Sequence, residues 1–438
     1  MANIRPFRGV RYDPDRVPDL SLAVTQPYDR IEHGLQDRYY ALSPYNATRL
    51  VKGYEHPGDT AGDNVYTRAR DYYRLWLAER ALVREHVPAL YVLQQTFHLP
   101  DGTTRTRQGL MVAFELTRFD EGIVLPHERT LSGPKVDRLN LMRATGVHFE
   151  HIFMLYPGND INPLLAPVLE RQAPVELREL YELDVQQHFW VVTDPQVLAA
   201  VVETMAPKRN LIIADGHHRY ETTLNYRDEM RAQYPEAPRN AGFNYRLLTL
   251  VSMEDPGLVI LPTHRLIHSY GRMTAAEALA RAAQYFDVAR VAGRPAMETL
   301  LAQADAQHPR FGFYDGAYAV LTLRDPALLA QLLPEHSADW RLLDVSVLHE
   351  LFIERVLGID KGAVERKENI DYLRVAQLGY DAVDGKEAEF LLVLNPTRME
   401  QVRACTEAGD KMPQKSTDFY PKVITGLVYL PVGPEERL

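Results

Sequence analysis

Apolar residues along the chain recur with the period of a strand in some segments and of a helix in others. Residues 89–97 and 103–114 are apolar-rich runs separated by a Pro-Asp-Gly turn signal, and they predict an antiparallel hairpin. Residues 311–314 and 317–323 predict a second hairpin. Residues 64–85 carry apolar side chains at helical spacing and predict a helix.

Further elements follow from the same two periodicities. Strands are predicted at residues 152–156, 189–192, 211–214, 246–251, 258–261 and 390–394, and residues 423–430 are predicted as a strand or an apolar docking segment. Helices are predicted at residues 137–145, 194–205, 274–285, 296–306, 345–357 and 398–407, with Asp194 as an N-cap. Because strands and helices alternate irregularly, the predicted fold class is α+β with mixed and antiparallel sheets.

Length and composition favour an ordinary globular protein of two domains. The chain has 438 residues, 46% of them hydrophobic and 25% charged, and this length exceeds what one hydrophobic core usually serves. The pattern changes near Tyr270, so we expect domains at residues 1–270 and 271–438. The net charge of −10 and the absence of a Lys/Arg block argue against a general nucleic-acid binder.

The cysteine content and the hydropathy of the chain indicate in which cellular compartment we expect the protein. Cys405 is the only cysteine, which excludes an intrachain disulfide framework and a cysteine zinc cluster. The first residues carry no apolar run of the kind found in signal peptides, and no stretch approaches the roughly 20 apolar residues of a membrane helix. We therefore expect a soluble, cytoplasmic protein that does not bind membranes.

The densest group of titratable side chains follows the predicted strand at residues 211–214. Asp215 and Gly216 form a turn signal, and His217, His218 and Arg219 follow where a helix is expected to begin. Backbone N–H groups at a helix start favour anions, so the segment predicts a phosphate site in which Asp215 holds a metal ion or orients a histidine. A capped helix start with surface histidines is the alternative.

Metal-ligand spacing in this segment favours magnesium over zinc. His217 and His218 are adjacent, so on a helix their side chains diverge by about 100° and would not both face one zinc ion. Mg²⁺ bound together with phosphates needs few protein ligands. Asp215 is therefore the predicted Mg²⁺ ligand.

A second cluster contains the predicted general base. Glu128 stands between His127 and Arg129-Thr130 in a segment expected to leave a strand as a loop. A carboxylate beside a histidine can accept a proton from a substrate hydroxyl. An exposed charged loop is the alternative interpretation.

Two more segments contain side chains that could bind an anion. Lys415, Ser416, Thr417 and Lys422 lie in a Pro-bounded segment that could wrap a phosphate, although it lacks the glycines of a Walker A loop. His264 and Arg265 close a predicted strand. A solvated loop and a structural histidine are the respective alternatives.

Five segments occur together in one order along the chain. They are Gln26-Pro27-Tyr28-Asp29, His127-Glu128-Arg129-Thr130, Ala214-Asp215-Gly216-His217-His218-Arg219-Tyr220, Leu261-Pro262-Thr263-His264-Arg265 and Met412-Pro413-Gln414-Lys415-Ser416-Thr417. Together they resemble a large bacterial domain-of-unknown-function family, also called SerK-like, over nearly the whole chain. The segment at residues 215–219 is also similar to that of ParB-like and sulfiredoxin-like proteins, which include the free-serine kinases.

This resemblance implies a ParB/sulfiredoxin-like core with a C-terminal α+β domain. It also implies a kinase that uses ATP or ADP with Mg²⁺ to convert free L-serine to O-phosphoserine. Glu128, Asp215, His217 and His218 are the catalytic candidates. The nucleotide-binding candidates are Gly216, Arg219, His127, Thr130, His264, Arg265, Lys415, Ser416, Thr417 and Lys422.

Two other functions are also compatible with these residues. One is a ParB-like nucleotide-binding regulatory module without small-molecule kinase activity. The other is a metal-assisted phosphoesterase that uses Asp215 and the histidines.

Overall fold

A computed structural model describes residues 1–99, 101–128, 133–182, 184–303 and 307–438 of the chain. Contacts between Cα atoms divide it into two units. The first unit comprises Met1–Pro126, Thr130–Leu258 and Pro421–Leu438, and the second comprises His127–Arg129 and Val259–Tyr420. The domain boundary expected near Tyr270 stays a prediction.

A nine-stranded mixed sheet forms the centre of the first unit. Its strands, in spatial order, are Val124–Pro126, Leu211–Asp215, Ile152–Tyr156, Tyr245–Ser252, Thr104–Glu115, Leu90–His98, Val185–Val192 and Val175–Arg178, and Ile4–Arg5 pairs with Thr104–Glu115. Two neighbouring pairs are parallel and the others are antiparallel. The antiparallel pairing of Leu90–His98 with Thr104–Glu115 confirms the first predicted hairpin.

Alternation along these strands buries one set of side chains in a shared core. Ile152, Met154 and Tyr156 face it, as do Leu211 and Ile213. Successive side chains of a strand point to opposite faces, so residues two apart reach the same core.

The helices predicted at residues 137–145 and 194–205 of the first unit lie close to those positions, the helix expected at residues 64–85 is an exception, and three helices, His33–Leu42, Thr48–Val51 and Asn162–Leu169, were not predicted. The helices of this unit are His33–Leu42, Thr48–Val51, Val65–Ala78, Gly133–Thr145, Asn162–Leu169, Pro195–Met205 and His217–Gln233, with single turns at Leu20–Leu22, Tyr28–Arg30, Phe119–Glu121 and Gly242–Asn244. Asp194 caps Pro195–Met205 as predicted, because its side chain accepts the N–H groups of Gln196 and Val197. The exception is the helix expected to reach residue 85.

That helix ends at Ala78 for a local reason. Arg80 takes the left-handed conformation with φ of 60°, which cannot continue a right-handed helix. Residues Leu82–Arg84 then form a strand that pairs with Val10–Tyr12. The apolar spacing therefore continued past the helix because the following strand also packs inward.

The second unit is built on a six-stranded sheet. Its strands, in spatial order, are Phe286–Val291, Tyr318–Leu323, Arg310–Tyr314, Phe390–Val393, His264–Ile267 and Ile370–Leu373, and Val259–Leu261 pairs separately with Asp418–Tyr420. Its helices are Ala275–Ala282, Arg294–Ala302, Ala327–Leu332, Ala338–Arg341, Asp344–Val347, Leu348–Val356, Lys361–Arg366, Ala376–Asp384 and Met399–Glu407. The second predicted hairpin is confirmed. With this unit, the predicted α+β fold class is confirmed.

One predicted helix differs from the structure. Part of the helix expected at residues 345–357 is a π-helix, Leu348–Val356, which ends in a bond from the Leu357 N–H to the Phe352 carbonyl. Its apolar side chains are buried on several sides, so their spacing could not reveal the wider turn.

Residues 423–430 were predicted as a strand or an apolar docking segment. They form no continuous strand, because Gly426 has φ of 109° and breaks it. The whole segment is buried, as expected for an apolar docking segment.

Among the described residues, no helix is both long enough and apolar enough to cross a membrane.

We expect Leu248→Ala to lower the free energy of unfolding by about 2–5 kcal/mol, because the change leaves a cavity in a packed core. Leu248 is fully buried, whereas Leu75 is 48% exposed. Leu75→Ala is therefore the matched control, and we expect it to change stability by less than about 0.5 kcal/mol. Urea unfolding monitored by circular dichroism measures both, and equal losses would contradict this description of the core.

Candidate functional site

The segment at residues 215–219 lies where a central strand passes directly into a long helix. Strand Leu211–Asp215 lies between Val124–Pro126 and Ile152–Tyr156, and its pairing with Ile152–Tyr156 shifts register between Ile213 and Asp215. Helix His217–Gln233 begins two residues after the strand ends. The predicted strand, turn and helix start are confirmed.

Gly216 makes this abrupt turn possible. Its backbone φ angle is 98°, a value that residues other than glycine rarely adopt. A Cβ atom at this position would also lie 3.1 Å from Nε of Arg219. The glycine therefore allows both the turn and the close approach of the Arg219 guanidinium.

Two cations contact the Asp215 carboxylate. Arg219 donates to Oδ2, and Nζ of Lys422 lies 3.3 Å from Oδ1. Although burial opposes ionisation, Lys422, Arg219 and His217 together hold the pKa of Asp215 well below its usual range. The carboxylate is ionised, and one negative charge faces two positive charges.

The start of helix His217–Gln233 adds to this positive field. The N–H groups of the first helical turn have no acceptor within the helix, and the helix dipole places partial positive charge at the same end. Gly216, the N-cap residue, supplies no side chain to cap them. Charge and backbone donors therefore favour an anion at this position.

His218 has charged neighbours on both sides. Lys135 forms an ion pair with Glu221, one turn further along the helix. Burial, followed by the charge of Lys135, lowers the pKa of His218. The neutral imidazole is therefore favoured in the folded protein.

Arg219 also belongs to a buried charge cluster, which it forms with Glu150 and Arg138. The sequence patterns did not identify this cluster. Nη1 of Arg219 donates to the His151 carbonyl at 2.5 Å, and Oε1 of Glu150 lies 4.0 Å away. Oε2 of Glu150 accepts from Arg138 at 3.1 Å, and its Oε1 accepts from the Tyr28 N–H at 3.0 Å. The Arg138 guanidinium lies 4.0 Å from the centre of the Tyr28 ring.

The contacts of Glu150 and Tyr28 with this cluster were not predicted from the sequence. The signal available for Glu150 was its position directly before a buried strand, beside His151. A charged pair next to a strand is common, so that signal is weak on its own. Tyr28 belongs to one of the five segments that carry the family resemblance, but no role was predicted for its side chain.

In the second unit, His127 and Glu128 lie against the segment at residues 412–417. The Met412 N–H donates to the His127 carbonyl at 2.8 Å, and Nε2 of His127 lies 2.7 Å from Oγ1 of Thr417. Oε1 of Glu128 lies 3.8 Å from Nε2 of His127. His127 is buried and Glu128 is half-buried, so the carboxylate can reach solvent or a ligand. Arg129 and Thr130 lie outside the described residues.

Arg265 holds the same segment from another direction. Its guanidinium donates to the Lys415 carbonyl at 3.0 Å and to the Gln414 carbonyl at 3.3 Å. Nε donates to His349 at 3.2 Å, and burial lowers the pKa of Arg265 to about 10. These bonds fix the backbone around Lys415, whose own side chain is exposed.

The remaining predicted residues of this unit are engaged in local hydrogen bonds. Oγ of Ser416 donates to the Pro413 carbonyl at 2.5 Å. Nδ1 of His264 accepts from the Leu394 N–H at 3.2 Å, and burial lowers its pKa to about 4. A ligand role for Ser416, Thr417, His264 or Arg265 stays a prediction.

The described residues contain no group of three or more His, Cys, Asp or Glu side chains placed to hold a metal ion. Both oxygens of Asp215 contact cations, so Mg²⁺ would compete with Arg219 and Lys422 for them. The side chains around Asp215 therefore do not fit a metal site built by the protein. The assignment of Mg²⁺ to Asp215 stays a prediction.

The model of a family described as "Protein of unknown function (DUF1015)" matches residues 4–346. No curated protein matches the chain.

Solved structures similar to the chain have low sequence identity and low TM-scores. A free serine kinase in complex with AMP is 11% identical with a TM-score of 0.37, and the match covers 75% of this chain and 93% of that one. A conserved hypothetical protein from Pyrococcus furiosus is 11% identical, with a TM-score of 0.35 over 75% and 97% of the two chains. SbnI with a C-terminal truncation, from Staphylococcus aureus, is 10% identical, with a TM-score of 0.34 over 72% and 87%. With scores this low, a function has to be argued from the side chains of this protein.

We expect acid to destabilise the folded protein through His151. Burial, followed by the charges of Arg246 and Arg219, lowers the pKa of His151 to about 3. In the unfolded chain histidine takes up a proton near pH 6.5, so the stabilising contribution is complete above that pH and is lost as the pH falls towards 3. At pH 5 the loss is about 2 kcal/mol.

Chemical denaturation at pH 7 and pH 5 measures this effect. His151→Gln should lose about 2 kcal/mol less than the wild type between the two pH values. His56→Gln, which changes an exposed histidine, should behave as the wild type. The same pH dependence in His151→Gln as in the wild type would contradict the assignment.

Proposed function

We propose that this chain, which belongs to the DUF1015 family, binds the phosphates of a nucleotide at the N-terminus of helix His217–Gln233 and transfers a phosphoryl group to a small alcohol. One observation carries the proposal. Arg219 and Lys422 both contact the carboxylate of Asp215 at an uncapped helix start. Two cations and the backbone N–H groups of the first helical turn together favour the negative charge of a phosphate.

The residues around the helix start have distinct roles in binding. The backbone N–H groups at His217 and His218 donate to phosphate oxygens, as helix N-termini do in other phosphate sites. Lys422 and Arg219 supply the positive charge, and Asp215 keeps both cations in place. Gly216 leaves the backbone open to the ligand because it has no side chain.

Phosphoryl transfer depends mainly on positioning and on electrostatic stabilisation of the transferred group. The acceptor oxygen attacks the terminal phosphorus, and the bond to the bridging oxygen of the nucleotide breaks. The hydroxyl proton passes to a base, and the shortened nucleotide leaves with the bridging oxygen. Lys422 offsets the negative charge that develops on the phosphoryl oxygens.

The acceptor and the base are separate parts of the proposal. L-serine is the acceptor to test first, because the segment at residues 215–219 is similar to that of the free-serine kinases. Glu128 is the proposed base. A half-buried carboxylate beside His127 supports this role, since a base needs both ionisation and access.

We expect Lys422→Gln to weaken ADP and ATP binding about tenfold or more, because it removes a charge-assisted contact worth about 1.5–3 kcal/mol. Isothermal titration calorimetry at fixed salt measures the dissociation constants. Lys386→Gln, the same substitution at an exposed lysine of the second unit, should bind as the wild type. Wild-type affinity in Lys422→Gln, with an unchanged circular dichroism spectrum, would refute the phosphate site.

We expect a serine-dependent phosphomonoester signal in phosphorus NMR when the protein is mixed with L-serine, Mg²⁺ and ATP or ADP. Glu128→Gln should abolish this signal while leaving nucleotide affinity unchanged, because a base acts only in the chemical step. Glu170→Gln, at an exposed glutamate, is the control. Omitting Mg²⁺ tests the metal requirement in the same assay.

Other outcomes of this assay identify the alternatives. Nucleotide binding without any phosphorylated product favours a regulatory module. Release of inorganic phosphate from phosphoserine without nucleotide favours a phosphoesterase. Wild-type turnover in Glu128→Gln would remove Glu128 as the base.

A further inference from the structure

A small cavity of the first unit is lined by Arg138, Glu150 and Arg219. Its volume is about 20 Å³, and its polar walls are Arg138, Arg219, Arg246, Glu150 and His148. A cavity of this size holds one water molecule or one ion of similar size. It is too small for a phosphate group, so it is distinct from the site at the helix start.

His148 presents a hydrogen-bond donor at this cavity. The Leu247 N–H donates to its Nδ1 at 3.4 Å, and burial together with the charge of Arg246 keeps the pKa of His148 well below its usual range. The ring is therefore neutral, and with Nδ1 acting as acceptor its proton is on Nε2. His148 is 1% exposed, and Nε2 has no hydrogen-bond partner among the described residues.

Arg246 presents a second donor. Its Nη2 donates to the Glu150 carbonyl at 2.8 Å, but Nε has no partner among the described residues. The side chain is 4% exposed. Two residues that line one cavity thus each carry a buried N–H group without a partner among the described residues, and a buried donor without an acceptor is unfavourable.

Arg246 differs from the neighbouring arginines because it has no direct ion pair. Arg138 pairs with Asp137 and Glu150, and Arg219 pairs with Asp215. No carboxylate among the described residues forms an ion pair with Arg246. Burial and the charge of Arg219 outweigh the charge of Glu150 and lower the pKa of Arg246 to about 9, so the guanidinium is still charged at neutral pH and a negative charge in contact with it is favourable.

We propose that this cavity binds a single monoatomic anion, chloride in the cell, which accepts hydrogen bonds from Nε2 of His148 and Nε of Arg246. A water molecule could accept the same two bonds but would leave Arg246 without a negative charge in direct contact. Glu150 raises the pKa of Arg246 from a distance, but its side-chain oxygens accept from Arg138 and from the Tyr28 N–H.

The anion would also affect the nucleotide site, and this consequence rests on the proposed function. Arg219 borders the cavity and holds Asp215 at the same time. Neutralising Arg246 removes a repulsion that otherwise drives Arg219 away from the cluster. Chloride would therefore keep Arg219 in the position that phosphate binding requires.

The test measures the melting temperature of the full chain without nucleotide, in sodium chloride, sodium bromide and sodium gluconate at equal ionic strength. Gluconate is too large for the cavity. We expect chloride and bromide to raise the melting temperature in a saturating manner relative to gluconate. Crystals soaked in bromide should show an anomalous scattering peak in the cavity.

Three variants test whether the halide dependence of the melting temperature arises at this cavity. Arg246→Met removes the unpaired charge and should abolish the halide dependence. Arg227→Met is the control, because Arg227 is equally buried but is paired with Asp228, and it should keep the dependence. His148→Phe removes the second donor and should weaken it.

Three results would overturn the proposal. The first is a wild-type melting temperature that is the same in chloride, bromide and gluconate. The second is a halide dependence that persists in Arg246→Met. The third, which needs no variant, is a bromide crystal with a water molecule and no anomalous peak in the cavity. None of these measurements involves nucleotide, so the site can fail while the proposed function stands, and the reverse.

Discussion

The pairing of several guanidinium groups with few carboxylates organises the centre of the first unit. Arg219 connects the two sides of this cluster, because it reaches Asp215 at the helix start and the His151 carbonyl in the interior. Buried charges cost several kcal/mol each unless they are paired. Both proposals rest on cations of this region, because Arg219 and Lys422 lie at the helix start and Arg246 has no direct ion pair among the described residues.

The large sheet brings these groups together from distant parts of the sequence. Strands Leu211–Asp215, Ile152–Tyr156 and Tyr245–Ser252 are spatial neighbours, so Asp215, Glu150 and Arg246 converge although they are far apart along the chain. The left-handed turn at Gly216 then directs the helix start towards the same cluster. Sheet order, one glycine and one helix thus bring together most residues of the proposed anion site, and Lys422 of the C-terminal segment adds a second cation beside Asp215.

In the second unit, a histidine, an arginine and a serine hydrogen-bond to groups of one segment. Around residues 412–417, His127, Arg265 and Ser416 satisfy backbone carbonyls or other local groups and hold the segment in one conformation. Lys415 is left exposed on a fixed backbone. A sequence pattern cannot distinguish a hydroxyl or guanidinium that binds a ligand from one that holds a loop, because both need the same donors.

The sequence alone determined the local elements. The hairpin at residues 90–115, the cap at Asp194 and the passage from strand to helix at Asp215-Gly216-His217 follow from apolar periodicity and turn chemistry, which act between near neighbours. Only the tertiary structure decided that Glu150, His148 and Arg246 would join Arg219. Their burial and pairing depend on strand order in the sheet, and local patterns carry no information about that order because it is set by contacts between distant segments.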